Sequence, residues 1–315
     1  MKNYELLNQI SNHKSVCLIG HTSPDADALA SMVVFKNFLS KNFNLEIIDL
    51  FAECSKIPYQ YAHMMMNNSI NQPIKNYDVA IMMDSPNTER LGIYKTLFNE
   101  SNLKIVIDHH QTNLYQGDIN IVEKQGSTCE IVYQILKTFN YQLTQLDKEL
   151  IYSGIITDTN NFTVGNFNSK TFSIVSEFFN DIDYESIYNQ FFRNNSLKNM
   201  QLLATAIDNI SVYNEEQIVI SHLTKDEKLK LNAKFDDFVG IINRLATINN
   251  CKLICFIYPK GDNYYVSMRS RHGLKISHIA KNNGGGGHDG AAAFVSSLSI
   301  YEIEKQILEE FQKLL

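Results

Sequence analysis

Short apolar runs that end in an acid or a histidine constrain this chain most. VCLIG (16–20) runs into His21-Thr22-Ser23-Pro24-Asp25-Ala26-Asp27, DVAIMMD (78–84) closes on Asp84, and LKIVID (103–108) closes on Asp108 followed by His109 and His110. LEIIDLF (45–51) is a further apolar run. Continuous apolar stretches of this length fit strands buried on both faces of a parallel sheet. Segments 27–39, 127–139 and 146–159 are apolar at helical spacing. This alternation predicts a doubly wound, mostly parallel α/β domain. Ligands of such sheets bind outside the carboxyl ends of the strands, where these polar residues fall.

Taken singly, an Asp after a strand is usually a turn residue or a helix N-cap, so Asp27 could cap its helix and Asp84 a turn at SPNTE. Their coincidence at successive strand ends, joined by Asp158 in GIITDT, argues for one shared site. Carboxylates gathered on one edge repel one another and need cations. Oxygen ligands with imidazole suit Mn2+ or Mg2+, whereas a cysteine-rich set would suit zinc. Two ions about 3.5–4 Å apart need a bridging carboxylate and several terminal ligands. His21, Asp25, Asp27, Asp84, His109 and Asp158 supply that number. Pro24 restricts the loop that aims His21 and Asp25.

With 315 residues the chain has material for two domains, at roughly 150 residues each. Residues 1–183 form the first, 184–210 read as a helical linker, and 211–315 form a smaller α+β domain. In the latter, strands are expected at 216–223, 253–259 and 264–270, helices at 236–248 and 299–314, and a glycine-rich loop at 284–287. Arg269, Arg271, His272, Lys275, His278 and Lys281 cluster there, and four glycines before His288 let backbone N–H groups approach an anion. No Walker lysine follows, so this is not a P-loop.

The formal net charge of -6 argues against a protein that coats long duplex nucleic acid. No apolar run reaches the ~18 residues of a membrane span, and the first twenty residues do not read as a secretory signal. Five cysteines without an export signal are expected as reduced thiols in the cytoplasm, with Cys17 and Cys129 buried. The run Met64-Met65-Met66 with Tyr59 and Tyr61 reads as packing rather than as a base-stacking surface, and His13, His63 and His222 as surface or satisfied histidines.

These four motifs, HTSPDADA, DSPNTERLG, Asp108-His109-His110 and GIITDT, together resemble the DHH phosphoesterases, and GGGGH at 284–288 resembles the associated DHHA1 domain. STCEIVY and IYSGIITDTNNF are similar to the subgroup of oligoribonucleases that also dephosphorylate 3'-phosphoadenosine 5'-phosphate. The resemblance implies a site of two Mn2+ ions, with Mg2+ as a substitute. His21 and Asp25 would hold one ion, Asp84 would bridge, and Asp27, His109 and Asp158 would complete the second. Asp108 would orient a neighbouring histidine, and His110 would bind the substrate phosphate or protonate the leaving oxygen. Arg269, Gly286, Gly287 and His288 would grip the phosphate and terminal nucleotide. Two departures are Ala26, where the family more often has Gly, and HDGAAAF after the glycine run. The implied partners are short RNA oligonucleotides and adenine nucleotides. No membrane is implied, and a homodimer is compatible.

Three alternatives share these motifs. A phosphodiesterase of linear or cyclic diadenylate would use the same metals. A manganese inorganic pyrophosphatase would carry a Ser-Arg-Lys motif where this chain has Ser270-Arg271-His272. A non-catalytic nucleotide sensor would not need the intact set of six ligands.

Overall fold

The computed structural model describes residues 3–54, 64, 76–163, 165–193, 195–271 and 273–315, apart from the side chains of residues 3–6 and 288. Tyr59, Tyr61, His63, Met65, Met66 and His272 lie outside the described residues, whereas Met64 is buried. The chain divides into two compact units, Met1–Asn194 and Asn195–Leu315.

In the first unit five strands, β1 (Ser15–Ile19), β2 (Ile47–Phe51), β3 (Val79–Met83), β4 (Leu103–Asp108) and β5 (Ile119–Val122), form a parallel sheet in the order β2-β1-β3-β4-β5. Its central strands are largely apolar, β3 (VAIMM) wholly so, as suits a sheet covered on both faces. Val16, Leu18, Ile81 and Ile105 pack under α1 (Ala26–Asn42), α3 (Thr128–Thr138) and α4 (Gln145–Asp158), with Leu29, Val33, Ile131 and Ile155. Cys17, Ile19, Met82 and Val106 face the other way, against Leu91, Tyr94 and Phe98, the last on α2 (Lys95–Glu100). Strand order reverses direction between β1 and β3, and such a switch point opens a crevice at the strands' carboxyl ends. The cap of α1 is Asp25, whose Oδ1 accepts from the Ala28 N–H at 3.1 Å, and not Asp27 as an isolated reading allows. The four-residue β5 and the helix α5 (Ser169–Ser176) were not expected from the sequence.

The segment 184–210 contains two helices. α6 (Tyr184–Phe192) lies in the first unit and α7 (Leu197–Asp208) in the second. The second unit is built on a mixed six-stranded sheet, ordered β10-β11-β9-β8-β7-β6. Its strands are β6 (Ile210–Tyr213), β7 (Ile218–His222), β8 (Leu253–Lys260), β9 (Asn263–Ser270), β10 (Gly286–His288) and β11 (Ala291–Ser296). All neighbours are antiparallel except β7 and β8. The helix α11 (Ile300–Gln312) covers one face through Ile303, Ile307 and Phe311. Leu202 and Ala206 of α7 cover the other, with Ile241 and Leu245.

Three sequence expectations need correction here. The helix expected at 236–248 breaks at Gly240, where φ is +83°, into a 3-10 turn (Phe235–Phe238) and a short α9 (Ile241–Leu245); the short α8 (Lys225–Lys230) precedes them. Half of the glycine-rich loop is strand, since Gly286 and Gly287 pair with Ala293 and Ala292; α10 (Ser277–Asn282) precedes it. β6 and β11 are additional strands. Among the described residues no helix is long and apolar enough to cross a membrane.

Candidate metal centre

Four loops and helix ends of the first unit converge on one cluster. His21 follows β1, Asp25 and Asp27 open α1, Asp84 follows β3, Asp108 ends β4 with His109 and His110 just after it, and Asp158 ends α4. Ligand atoms of His21, Asp25 and Asp84 lie within 4.8 Å of one another, as do those of Asp27, His109 and Asp158, and those of Asp84, His109 and His110. Asp84 belongs to two of these groups. Its Oδ2 lies 3.7 Å from His21 Nε2, and its Oδ1 lies 3.4 Å from His109 Nε2. His21 Nε2 is also 3.8 Å from Asp25 Oδ2, and His109 Nε2 is 3.3 Å from Asp158 Oδ2.

The surroundings set which atoms are available. His21 Nδ1 lies 2.9 Å from the Thr22 carbonyl and His109 Nδ1 lies 3.3 Å from the Gln125 carbonyl. A carbonyl can only accept, so each Nδ1 carries the proton and each Nε2 offers a lone pair to the cluster. His110 is held differently. Its Nδ1–H donates to Asp108 Oδ1 at 2.7 Å, while Asn113 Nδ2 donates to Asp108 Oδ2 at 2.7 Å. Asp108 is fully buried, so this pair fixes the imidazole firmly.

Helix α3 supplies contacts that the sequence reading missed. Its first backbone N–H groups reach Asp27, Thr128 N to Oδ2 at 2.6 Å and Cys129 N to Oδ1 at 3.0 Å. A helix N-terminus favours a carboxylate there. Thr128 Oγ1 donates to Asp84 Oδ1 at 2.9 Å. The only sequence signal was the segment STCEIVY, whose Ser127 caps the helix. Asn113 and Arg90 were also missed; Arg90 Nη2 stands 3.3 Å from His21 Nδ1.

The electrostatics show an excess of negative charge. Burial raises the carboxyl pKa of Asp27 well above the ordinary value, with repulsion from Asp84, Asp158 and Asp25. Burial likewise raises Asp84, repulsion from Asp25 adding to it against relief from the three histidines. Asp158 is pushed up to about 7 by burial, which the neighbouring His109 only partly offsets. Asp25 goes the other way: burial would raise it, but the attraction of His21 together with the backbone N–H groups of Ala28 and Asp27 brings it below the ordinary value. Burial opposes protonation of His21 and His110, but it is outweighed at His21 by Asp25 with Asp84 and the Thr22 carbonyl, and at His110 by Asp108 with Asp84 and Asp158, so that His110 rises to about 9. Carboxylates that resist joint ionisation, beside two imidazole lone pairs, fit divalent cations with oxygen and nitrogen ligands.

The other candidate residues lie in the second unit. Arg269 on β9, Ala291 on β11 and His288 on β10 occupy one row of the sheet, with Gly286 and Gly287 beside them. Arg269 is half-buried, and burial lowers its pKa. Its Nε donates to Asn243 Oδ1 at 3.1 Å and its Nη1 to the Met268 carbonyl at 2.9 Å. Arg271 is tied to the carbonyls of Ala246 and Ile248, and Lys275 lies 3.8 Å from Asp289.

Comparison with known proteins agrees with this division. The N-terminal domain of the DHH family matches residues 15–155, and the DHHA1 domain matches residues 215–315. The chain is 27% identical to the probable bifunctional oligoribonuclease and PAP phosphatase NrnA of Streptococcus mutans, over 98% of both chains. It is 25% identical to the bifunctional oligoribonuclease and PAP phosphatase NrnA of Bacillus subtilis, over 98% of this chain and 97% of that one. Among solved structures, an exopolyphosphatase-related protein from Bacteroides fragilis superposes with a TM-score of 0.82 at 23% identity, over 98% of this chain and 95% of that one. RecJ from Thermus thermophilus, in complex with Mn2+, gives a TM-score of 0.55 at 12% identity, over 98% of this chain and 53% of RecJ.

Proposed function

The chain belongs to the DHH phosphoesterase family, and on that premise we propose that it is a manganese-dependent hydrolase of short RNA oligonucleotides that also removes the 3'-phosphate of 3',5'-bisphosphorylated adenosine. The observation that carries the reading is Asp84, which offers one oxygen towards His21 and the other towards His109. That is the disposition of a carboxylate shared between two ions. His21, Asp25 and Asp84 would hold one ion, and Asp84, Asp27, His109 and Asp158 the other. The relatives are named for both substrates and align over nearly their whole length, and RecJ supports manganese.

Bound divalent ions would supply Lewis acidity, activating a water nucleophile and neutralising phosphate charge. The protein's own groups do the remainder. Asp108 holds His110 through Nδ1 and favours its protonated form. His110 Nε2 can then donate a proton to the leaving oxygen or a hydrogen bond to the phosphate. Thr128 and the start of α3 hold Asp84 and Asp27 in place. Arg269, Gly286, Gly287 and His288 grip the terminal nucleotide. The five cysteines are free, which supports a cytoplasmic setting.

The test is product release under Mn2+ from pyrophosphate, diadenylate, bisphosphorylated adenosine and an RNA trimer. Turnover of the last two in preference to the others is expected. Preference for pyrophosphate or for diadenylate would replace the reading by the corresponding alternative.

A further inference from the structure

We propose that Arg90 is a substrate-binding residue, a guanidinium held at the rim of the metal centre to take a phosphate oxygen. This rests on the phosphoesterase reading and gives the first unit a phosphate-binding cation of its own. Arg90 lies in DSPNTERLG, of which the metal cluster uses only Asp84.

Its placement is built from both sides. The Arg90 carbonyl accepts from the Thr22 N–H at 2.7 Å, which ties its backbone to the loop carrying His21. Asn87 caps the turn from below, with Oδ1 3.3 Å from the Arg90 N–H. Beyond it the chain turns at Gly92, where φ is +58° and a Cβ would meet Glu53 Oε2 at 1.8 Å and Thr22 Cγ2 at 2.7 Å. Glu53 Oε2 then accepts from the Ile93 N–H at 2.9 Å. The loop therefore lies against the His21 loop with no room for another residue at 92 and delivers the guanidinium to 3.3 Å from His21 Nδ1.

The charge of Arg90 is not spent within the protein. His21 Nδ1 already donates to the Thr22 carbonyl, so it is no acceptor for Arg90. Among the described residues no carboxylate lies within ion-pair distance of Arg90, whereas Lys95 in the same segment is paired with Glu89. The side chain is exposed. An arginine fork is suited to phosphate, presenting two parallel N–H donors. Beside the ligands of one metal set it would meet an equatorial oxygen of the phosphoryl group, where charge must be stabilised.

Arg90→Ala and Arg90→Lys test this in the Mn2+-loaded protein, with two readouts. Inorganic phosphate is titrated into each variant by calorimetry, and KM and kcat are measured for bisphosphorylated adenosine, with bound manganese determined by elemental analysis. Arg90→Ala is expected to weaken phosphate binding and raise KM by roughly ten- to a hundredfold, the worth of a charged hydrogen bond. Arg90→Lys is expected to recover part of both, and manganese content is expected to stay at the wild-type level. Unchanged phosphate affinity in Arg90→Ala would overturn the proposal, and so would loss of manganese, which would make Arg90 a support of His21. A wild-type protein that binds phosphate through Arg90 yet hydrolyses none of the substrates would instead overturn the function and leave the assignment of Arg90 standing.

Discussion

At the scale of single residues the cluster was legible because its members sit at strand and helix ends, where local pattern and chemistry coincide. Their supports were not legible, because Thr128 acts on Asp84 and Asn113 on Asp108 through contacts made only by the fold. Removing the Thr128 hydroxyl as Thr128→Val should therefore weaken manganese binding by roughly 10–100-fold, the usual effect of losing a residue that holds a ligand. Equilibrium dialysis measures it, and wild-type affinity would remove Thr128 from the site. Asp84→Ala should be harsher, lowering turnover of every substrate together and bound metal at both positions. The cluster also predicts a pH dependence. Asp158 titrates near 7 in the folded protein, above the ordinary carboxylate value of about 4. The folded state thus binds a proton that the unfolded chain has released. The stability this contributes is full at low pH and is lost as pH rises through about 7. The buried Asp27 acts in the same sense. His110 does so over a higher window, from its ordinary value of about 6.5 to about 9. Metal-stripped protein should therefore show a Tm that falls as pH goes from about 5 to about 8, and Asp158→Asn should flatten the lower part of that fall. A Tm that rises over this interval would contradict the assigned charges.

Among the elements, the buried strands of the first unit were the most legible, since a run such as VAIMM has only one way to bury every residue. What the sequence hid were strands without that signature. β5 has four residues, alternately buried, and β11 opens on three alanines, which have little preference for strands. β6 lies directly after α7 and reads as its continuation. The glycine run shows how structural and binding roles can be separated at one element. A Cβ at Gly287 would meet the Ala291 carbonyl oxygen at 2.5 Å, and φ there is +135°, so the β10–β11 pairing itself requires glycine. At Gly286 a Cβ would meet nothing within 4 Å, and φ there is not positive. Gly287→Ala should destabilise the second unit by more than about 1 kcal/mol. Gly286→Ala should leave Tm unchanged within the effect of an ordinary surface change, about 0.5 kcal/mol, and raise KM. Thermal denaturation and kinetics on the two variants decide it. If Gly286→Ala keeps the wild-type KM, this edge does not approach the substrate.

For the molecule as a whole, charge limits what the enzyme can hold. Formal net charge is -6, and the whole of the excess acid belongs to the first unit, where the metal ligands are. Among the described cations at 269–281, Arg271 and Lys275 are engaged within the protein, which shortens the basic stretch open to a long backbone. Phosphates beyond the first few should then add little affinity. Each phosphate held on a single strand contributes about -0.7 to the slope of log K against log salt, so a grip on two or three predicts a slope of roughly -1.5 to -2. Measuring kcat/KM at two salt concentrations for an RNA dimer, trimer, pentamer and a strand of roughly two dozen nucleotides tests this directly. The value should be highest among the short strands, with the shallow slope above. A value that climbs through the longest strand, with a steeper slope, would mean that a track for the backbone exists, and would move this chain from the oligoribonucleases towards exonucleases of long single strands.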